Sequence, residues 1–260
     1  MVPGELIFTL RTAFEDYATI FKNAPYNSDS TVEKTLLHIN KVVENILILA
    51  DSLELSENEK HVAEITAQFH DIGRLWLLLP ENADSKIIDH ADASIEYLKA
   101  SPIFGELDEA TQNIAIQVIK NHNQPELPKK DKEGEAILFY VKLLRDADKL
   151  DTWRSTSEYI TRRGSMPNMA LELALSEKPI VTPSFSKIII EGGIPSRADI
   201  VTFNDFLIFQ MSWIFDLHFK KSFQILNQKQ YIRHIYDSLP KNDSVIEIYR
   251  MIRIHIENQI

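Results

Sequence analysis

No cysteine occurs in the 260 residues, which excludes a disulfide framework and a thiolate metal site and removes any need for an oxidising compartment. Glycine is scarce, at seven residues, and alternation of apolar and polar side chains is rare, so little points to sheet. Long apolar runs are missing as well. Ile46 to Ala50 and Leu75 to Leu79 fall far short of the roughly 20 residues that span a bilayer. Basic charge is in deficit, with 28 basic against 38 acidic side chains and a net charge of −10. That balance opposes sequence-independent attraction to a nucleic-acid polymer or an anionic membrane, so neither is expected as a partner. The N-terminal stretch MVPGELIFTLRTAFEDY lacks the basic start and continuous apolar core of a signal peptide, and a cytoplasmic location is the expectation.

What is present is helical periodicity. With 44% hydrophobic residues the chain can bury a sizeable core as one large domain, or a domain with an extension. Leu6, Leu10, Phe14, Tyr17 and Phe21 mark an amphipathic helix, followed by a turn at Pro25 to Ser28. Ser30-x-x-Glu33 reads as a capping box that opens a helix reaching Leu53 and carrying His38. A second box, Ser56-x-x-Glu59, opens a helix expected to run through His70 and Asp71 toward Leu79, where Pro80 stops it. Further helices fit Ile87 to Lys99, Asp108 to Asn121, Gly134 to Leu150 and Trp153 to Arg163. Pro179, Pro183, Gly192, Gly193 and Pro195 then surround the β-branched run Lys187 to Ile190, which predicts a loop or short hairpin. Ala198 to Phe219, Gln228 to Leu239 and Ser244 to Ile256 again read as helix. The expected fold is all-α: a helical bundle over residues 1–165 and a C-terminal loop and helical extension over 166–260, packed on it as a cap or as a homodimer surface.

The chemistry-bearing residues follow one order: His38, His70-Asp71, His90, His122 and Asp148. Each falls in a segment expected to be helical, and imidazoles and carboxylates gathered from separate helices can hold a divalent metal with open positions. Neighbours on a helix differ by about 100° in direction, so His70 and Asp71 share a metal only if it lies over the helix edge between them. Around Asp148 three acids compete. Periodicity puts Asp148 on the face of Ile137, Val141 and Leu144, while Asp146 falls beside Lys142 and Lys149 on the expected wet side. Asp151 faces partly inward, which suits a hydrogen-bonded structural role. His61, His218, His234 and His255 read as surface or hydrogen-bonded histidines with no role. Trp76 and Trp153 read as core or pocket wall, and the runs Lys129 to Lys132 and Lys220-Lys221 as solvated surface.

With its local texts FHDIGR and DADKLD, this order resembles the HD-domain superfamily of metal-dependent phosphohydrolases, which are all-α bundles, over roughly Ser30 to Arg163. The resemblance implies that His38, His70, Asp71 and Asp148 hold one metal. It further implies that His90, in IIDHADAS, and His122, in IKNHNQP, hold a second one with Asp71 bridging. Many two-metal members carry another His directly after the fourth, where this chain has Asn123. Lys149 resembles a phosphate-contacting lysine of nucleotide-cleaving members, and Arg74 is a second candidate anion clamp. Asp71, or a nearby acid such as Asp151, could accept the proton of an attacking water. Mixed nitrogen and oxygen donors without sulfur suit one or two divalent transition ions, iron or manganese first, with zinc, cobalt and nickel compatible. The implied activity is hydrolysis of a nucleotide or other small phosphorylated metabolite. Two alternatives stand beside it: a di-iron oxygenase acting on a small polyol or phosphonate, and a regulatory domain that holds metal or ligand without turnover.

Overall fold

The structure, a computed structural model, describes residues 2–22, 31–82, 89–129, 134–163, 175–176, 178 and 180–260. Among the described residues every regular element is a helix, and the one β-type pairing is an isolated bridge between Ser176 and Thr202. The all-α expectation therefore holds. The turn at 25–28, the cap residue Ser30, the start of the helix expected at Ile87, and Lys130 to Lys132 lie outside the described residues.

Two compact units divide inside one helix, Met1–Asp148 and Lys149–Ile260. In the first unit α1 spans Gly4–Lys22 and buries Ile7, Leu10, Phe14, Ala18 and Phe21 at helical spacing. α2 spans Thr31–Ser52 and α3 spans Glu57–Phe69. Ser56 caps α3 as expected, with its side chain accepting from the Glu59 amide and the Glu59 side chain accepting from the Ser56 amide. From Val62 to Phe69 every residue of α3 is buried, because α1, α2 and α6 (Glu109–Asn121) all pack against it. A helix enclosed on all sides is where polar side chains face one another rather than water.

α3 does not continue to Leu79. It ends at Phe69, and the next amide bonds tighten to i−3 partners: Ile72 to Phe69, Arg74 to Asp71 and Leu75 to Ile72. A short helix α4, Gly73–Trp76, and a 3-10 turn at Pro80–Asn82 follow. The chain then passes close to the next helix. Gly73 lies so close to α5 (His90–Ala100) that an added Cβ would stand 2.1 Å from the His90 carbonyl oxygen and 2.4 Å from the Ser94 amide nitrogen. Only glycine lets the chain approach there.

α7 runs unbroken through Glu135–Arg162 for 28 residues, where a break near Leu150 was expected. Asp151, which could have competed for backbone groups, instead accepts a bond from Arg154 Nε three residues on, at 2.6 Å.

The second unit contains α8 (Pro183–Ile190), α9 (Phe203–Ser212), α10 (Lys220–Lys229), α11 (Tyr231–Ser238) and α12 (Asp243–Gln259). The β-branched run is thus helical, neither loop nor hairpin. Pro183 occupies the first turn, where its missing N–H costs nothing, and Phe185, Ser186 and Ile189 form one buried face. The expected helices Ala198 to Phe219 and Gln228 to Leu239 are each subdivided, the latter by Gln230 at φ 56°. The core of this unit joins Trp153, Phe185, Ile189, Leu207, Met211, Ile235, Ile248 and Ile252, and Trp153 Nε1 donates to the Gln210 carbonyl at 2.9 Å. No helix of the described residues is long and apolar enough to cross a membrane.

Candidate metal centre

The end of α3 delivers His70 and Asp71 together. In the tightened turn both side chains are buried, His70 completely, and they meet residues from four other helices. His38 comes from α2, with its Nε2 lying 3.3 Å from His70 Nε2, 3.5 Å from Asp71 Oδ2 and 3.2 Å from Asp148 Oδ1 of α7. On the other side His90 Nε2, at the start of α5, is 3.2 Å from Asp71 Oδ1, and His122 Nε2, at the end of α6, is 4.0 Å from the same oxygen. One ligand atom each from His38, His70 and Asp148 lie within 4.8 Å of one another, as do those of His70, Asp71 and His122. All six residues singled out by their order converge, and Asp71 lies between two sets with one oxygen turned to each.

The protonation pattern suits a cation. His70 Nδ1 lies 2.7 Å from the Ala67 carbonyl and His122 Nδ1 lies 2.6 Å from the Ile119 carbonyl. A carbonyl only accepts, so each Nδ1 carries the proton and each Nε2 presents a lone pair to the centre. Burial lowers the pKa of His70, His90 and His122, an effect larger than the pull of Asp71 in the opposite direction. Burial works against ionised Asp71 and Asp148. The surrounding histidines, with Arg74 in the case of Asp71, outweigh it and hold both carboxyls below the usual range. The result is neutral His70, His90 and His122 and ionised Asp71 and Asp148 near neutral pH.

Asp71 Oδ1 gives the most direct sign of a fit. It is buried and has no hydrogen-bond partner among the described residues, even with His90 Nε2 close by. A buried carboxylate oxygen without a donor is costly. A cation relieves that cost, and the nitrogen and oxygen donors match a divalent transition ion. The side chains of His70, His122 and Asp71 are at most 3% exposed, while His38, His90 and Asp148 keep 20%, 21% and 27%. The centre is therefore partly open to solvent.

Arg74 lies at this opening. Its Nε donates to Asp71 Oδ2 at 2.6 Å and one terminal nitrogen is 3.4 Å from His90 Nε2. Lys149 belongs to the second unit, where its Nζ meets Asp216 Oδ2 at 2.5 Å and the Asp216 carbonyl at 3.2 Å. Asp146 corrects the sequence reading: it is fully buried, not on a wet face. Residues 143–147 are buried without a break, so α7 has no single apolar stripe and periodicity could not separate its acids.

Several residues that fix the candidate ligands in place carried no sequence signal. Ser94 is fully buried, accepts from the Gly73 amide at 2.8 Å, and has the His70 and His90 carbonyls within 2.8 and 2.9 Å of its hydroxyl. One small side chain thereby ties the backbones of two ligands together. Asn45 of α2 donates to the Ala147 carbonyl at 3.1 Å, which links the helix of His38 to that of Asp148. A buried serine or a helical asparagine is too ordinary in a sequence to reveal such a task.

Comparison with curated proteins and with solved structures gave no match. The family model described as HD domain matches residues 35–153, a span that contains all six converging side chains. HD domains make up a superfamily of metal-dependent hydrolases, consistent with a buried His and Asp group able to hold metal. By this match, and by the helical frame that brings His38, His70, Asp71 and Asp148 together, residues 35–153 have the pattern of an HD domain.

Proposed function

We propose that the chain is a metal-dependent phosphohydrolase that cleaves a phosphoester or phosphoanhydride of a nucleotide or another small phosphorylated metabolite. The observation that carries this reading is the Asp71 carboxylate, with Oδ2 turned to His38 and His70 and Oδ1 turned to His90 and His122. His38, His70, Asp71 and Asp148 would hold one divalent ion, and His90, His122 and Asp71 a second, with iron or manganese first among the ions that suit these donors and zinc, cobalt or nickel compatible. Such ions supply an acidified water near neutral pH and neutralise charge on phosphoryl oxygens.

The chain's own residues do the rest. Asp71 and Asp148 stay ionised, and buried imidazoles stay neutral, so the ligand atoms need no proton rearrangement near neutral pH. Arg74 has five N–H donors. Its side chain is 49% exposed at the mouth, where a guanidinium can take two phosphoryl oxygens at once. Lys149 is the second anion contact in this proposal and would have to exchange Asp216 for phosphate. Asp151 is occupied by Arg154, which leaves Asp71 as the acceptor for the water proton.

Elemental analysis of the purified chain, followed by a phosphatase and nucleotide screen under added metals with and without oxygen, tests the reading. Bound transition metal with oxygen-independent release of phosphate or nucleotide is the expected result. Turnover that requires oxygen would move the assignment to an iron oxygenase, and bound metal without turnover on any phosphorylated compound would make the domain a binding module.

A further inference from the structure

We propose that Asn123 is a positioning residue that braces Asp89 and thereby holds His90 opposite His122, which makes affinity for a second ion depend on this one amide. The inference rests on the metal-dependent reading above. His90 is the first residue of α5, and its place depends on how that helix start is fixed. Asp89 caps the start, accepting from the Ala91 amide at 2.8 Å and the Asp92 amide at 3.3 Å. Across from it, directly after His122, Asn123 Nδ2 donates to Asp89 Oδ2 at 3.0 Å and to Oδ1 at 3.3 Å. The amide is oriented in turn by Gln124, whose Nε2 donates to Asn123 Oδ1 at 3.0 Å.

The brace therefore joins residues adjacent in sequence to each of the two imidazoles, whose ring centroids lie 5.4 Å apart. Metal coordination tolerates ligand displacements of only about 0.5 Å, and loss of an outer hydrogen-bond partner typically costs 10–100-fold in affinity. His38, His70 and Asp148 come from α2, the end of α3 and α7, and Asn123 bonds to none of them. Its effect should be confined to the His90 and His122 set. The same geometry accounts for the departure at this position: Asn123 Oδ1 receives the Gln124 donor and its nitrogen is given to Asp89, so the residue supports a ligand and is not one itself.

Titration of the metal-free full chain with manganese or cobalt, followed by calorimetry and by ion content, reads the two steps separately. Asn123→Ala should leave the tighter step within about twofold and weaken the looser one about tenfold or more, with the metal-free melting temperature within about 2 °C because the brace is solvent-exposed. Asn123→Asp sets a carboxylate against Asp89 and should weaken the looser step at least as much. Adding Asp89→Asn to it restores a donor and acceptor pair with the cap intact, and affinity should return to within a few-fold. An unchanged looser step in Asn123→Ala, or equal weakening of both steps with a lower metal-free melting temperature, would overturn the inference. Uptake of a single ion by the unaltered chain would overturn it while leaving the first ion and hydrolysis standing, and no uptake at all would overturn both readings.

Discussion

Asp71 and Asp205 are two buried carboxylates, one in each unit, at 2% and 0% exposure, and they are treated in opposite ways. Asp205 of the second unit is saturated by its surroundings. Its Oδ1 accepts from the Thr182 amide at 2.7 Å, and its Oδ2 from the Thr182 hydroxyl at 2.9 Å, the Thr202 amide at 3.0 Å and the Val201 amide at 3.3 Å. Those bonds cap α9 and pin the chain ahead of α8 to it. Asp71 of the first unit has one oxygen with no hydrogen-bond partner among the described residues, and lone pairs of histidine nitrogens around it. Backbone amides that stabilise a carboxylate make it structural. A buried carboxylate left short of donors suits a cation, and the contrast separates a carboxylate that fastens backbone from one whose surroundings could hold metal.

The sharpest way to break the contrast is to remove each carboxylate in turn. Asp71→Ala should abolish metal binding and lower hydrolysis by about three orders of magnitude or more, with helicity by circular dichroism retained. Asp205→Ala should leave metal content unchanged and cost about 3 kcal/mol of stability, since it strands buried amides, as read by chemical denaturation. A hydrolysis rate untouched by Asp71→Ala, or metal lost in folded Asp205→Ala, would reverse the two assignments.

Acid sharpens it further. His70, His90 and His122 have folded pKa values below their ordinary 6.5. Below about pH 6.5 the unfolded chain therefore binds protons that the folded one refuses, and stability falls as pH falls. Asp71 and Asp148 ionise more readily when folded, and the stability they add is lost only below about pH 4. Thermal unfolding in chelator should show the melting temperature falling between pH 7.5 and 5.5, and a flat profile would contradict the buried neutral imidazoles.

The smallest effect belongs to Lys149. Because Lys149→Met alone leaves Asp216 without this cation, the double variant with Asp216→Asn is the cleaner probe. It should raise KM for an anionic substrate about tenfold, and an unchanged KM would remove Lys149 from the phosphate contact.

Much of this was legible in the residues. The capping box at Ser56 started α3 where expected, and the order of four histidines and two aspartates named side chains that do converge. The failures share a cause. α3 ends before the expected Leu79, and beyond it Gly73 packs against His90, a contact that local periodicity does not encode. The run Lys187 to Ile190 has β-branched residues, yet it folds as a helix begun by Pro183, because burial of Phe185 and Ile189 outweighs a weak local preference. Asp146 was misplaced because periodicity detects one buried face and α7 is buried on several.

The sequence by itself determined the helical class and the set of residues capable of binding a cation, since periodicity, caps and donor chemistry are local properties. Only the tertiary structure decided which oxygen of Asp71 meets which histidine, that Lys149 meets Asp216, and that Ser94 bonds to the His70 and His90 carbonyls and Asn123 to Asp89. Those are distances between residues remote in the chain, and they are set when the helices pack.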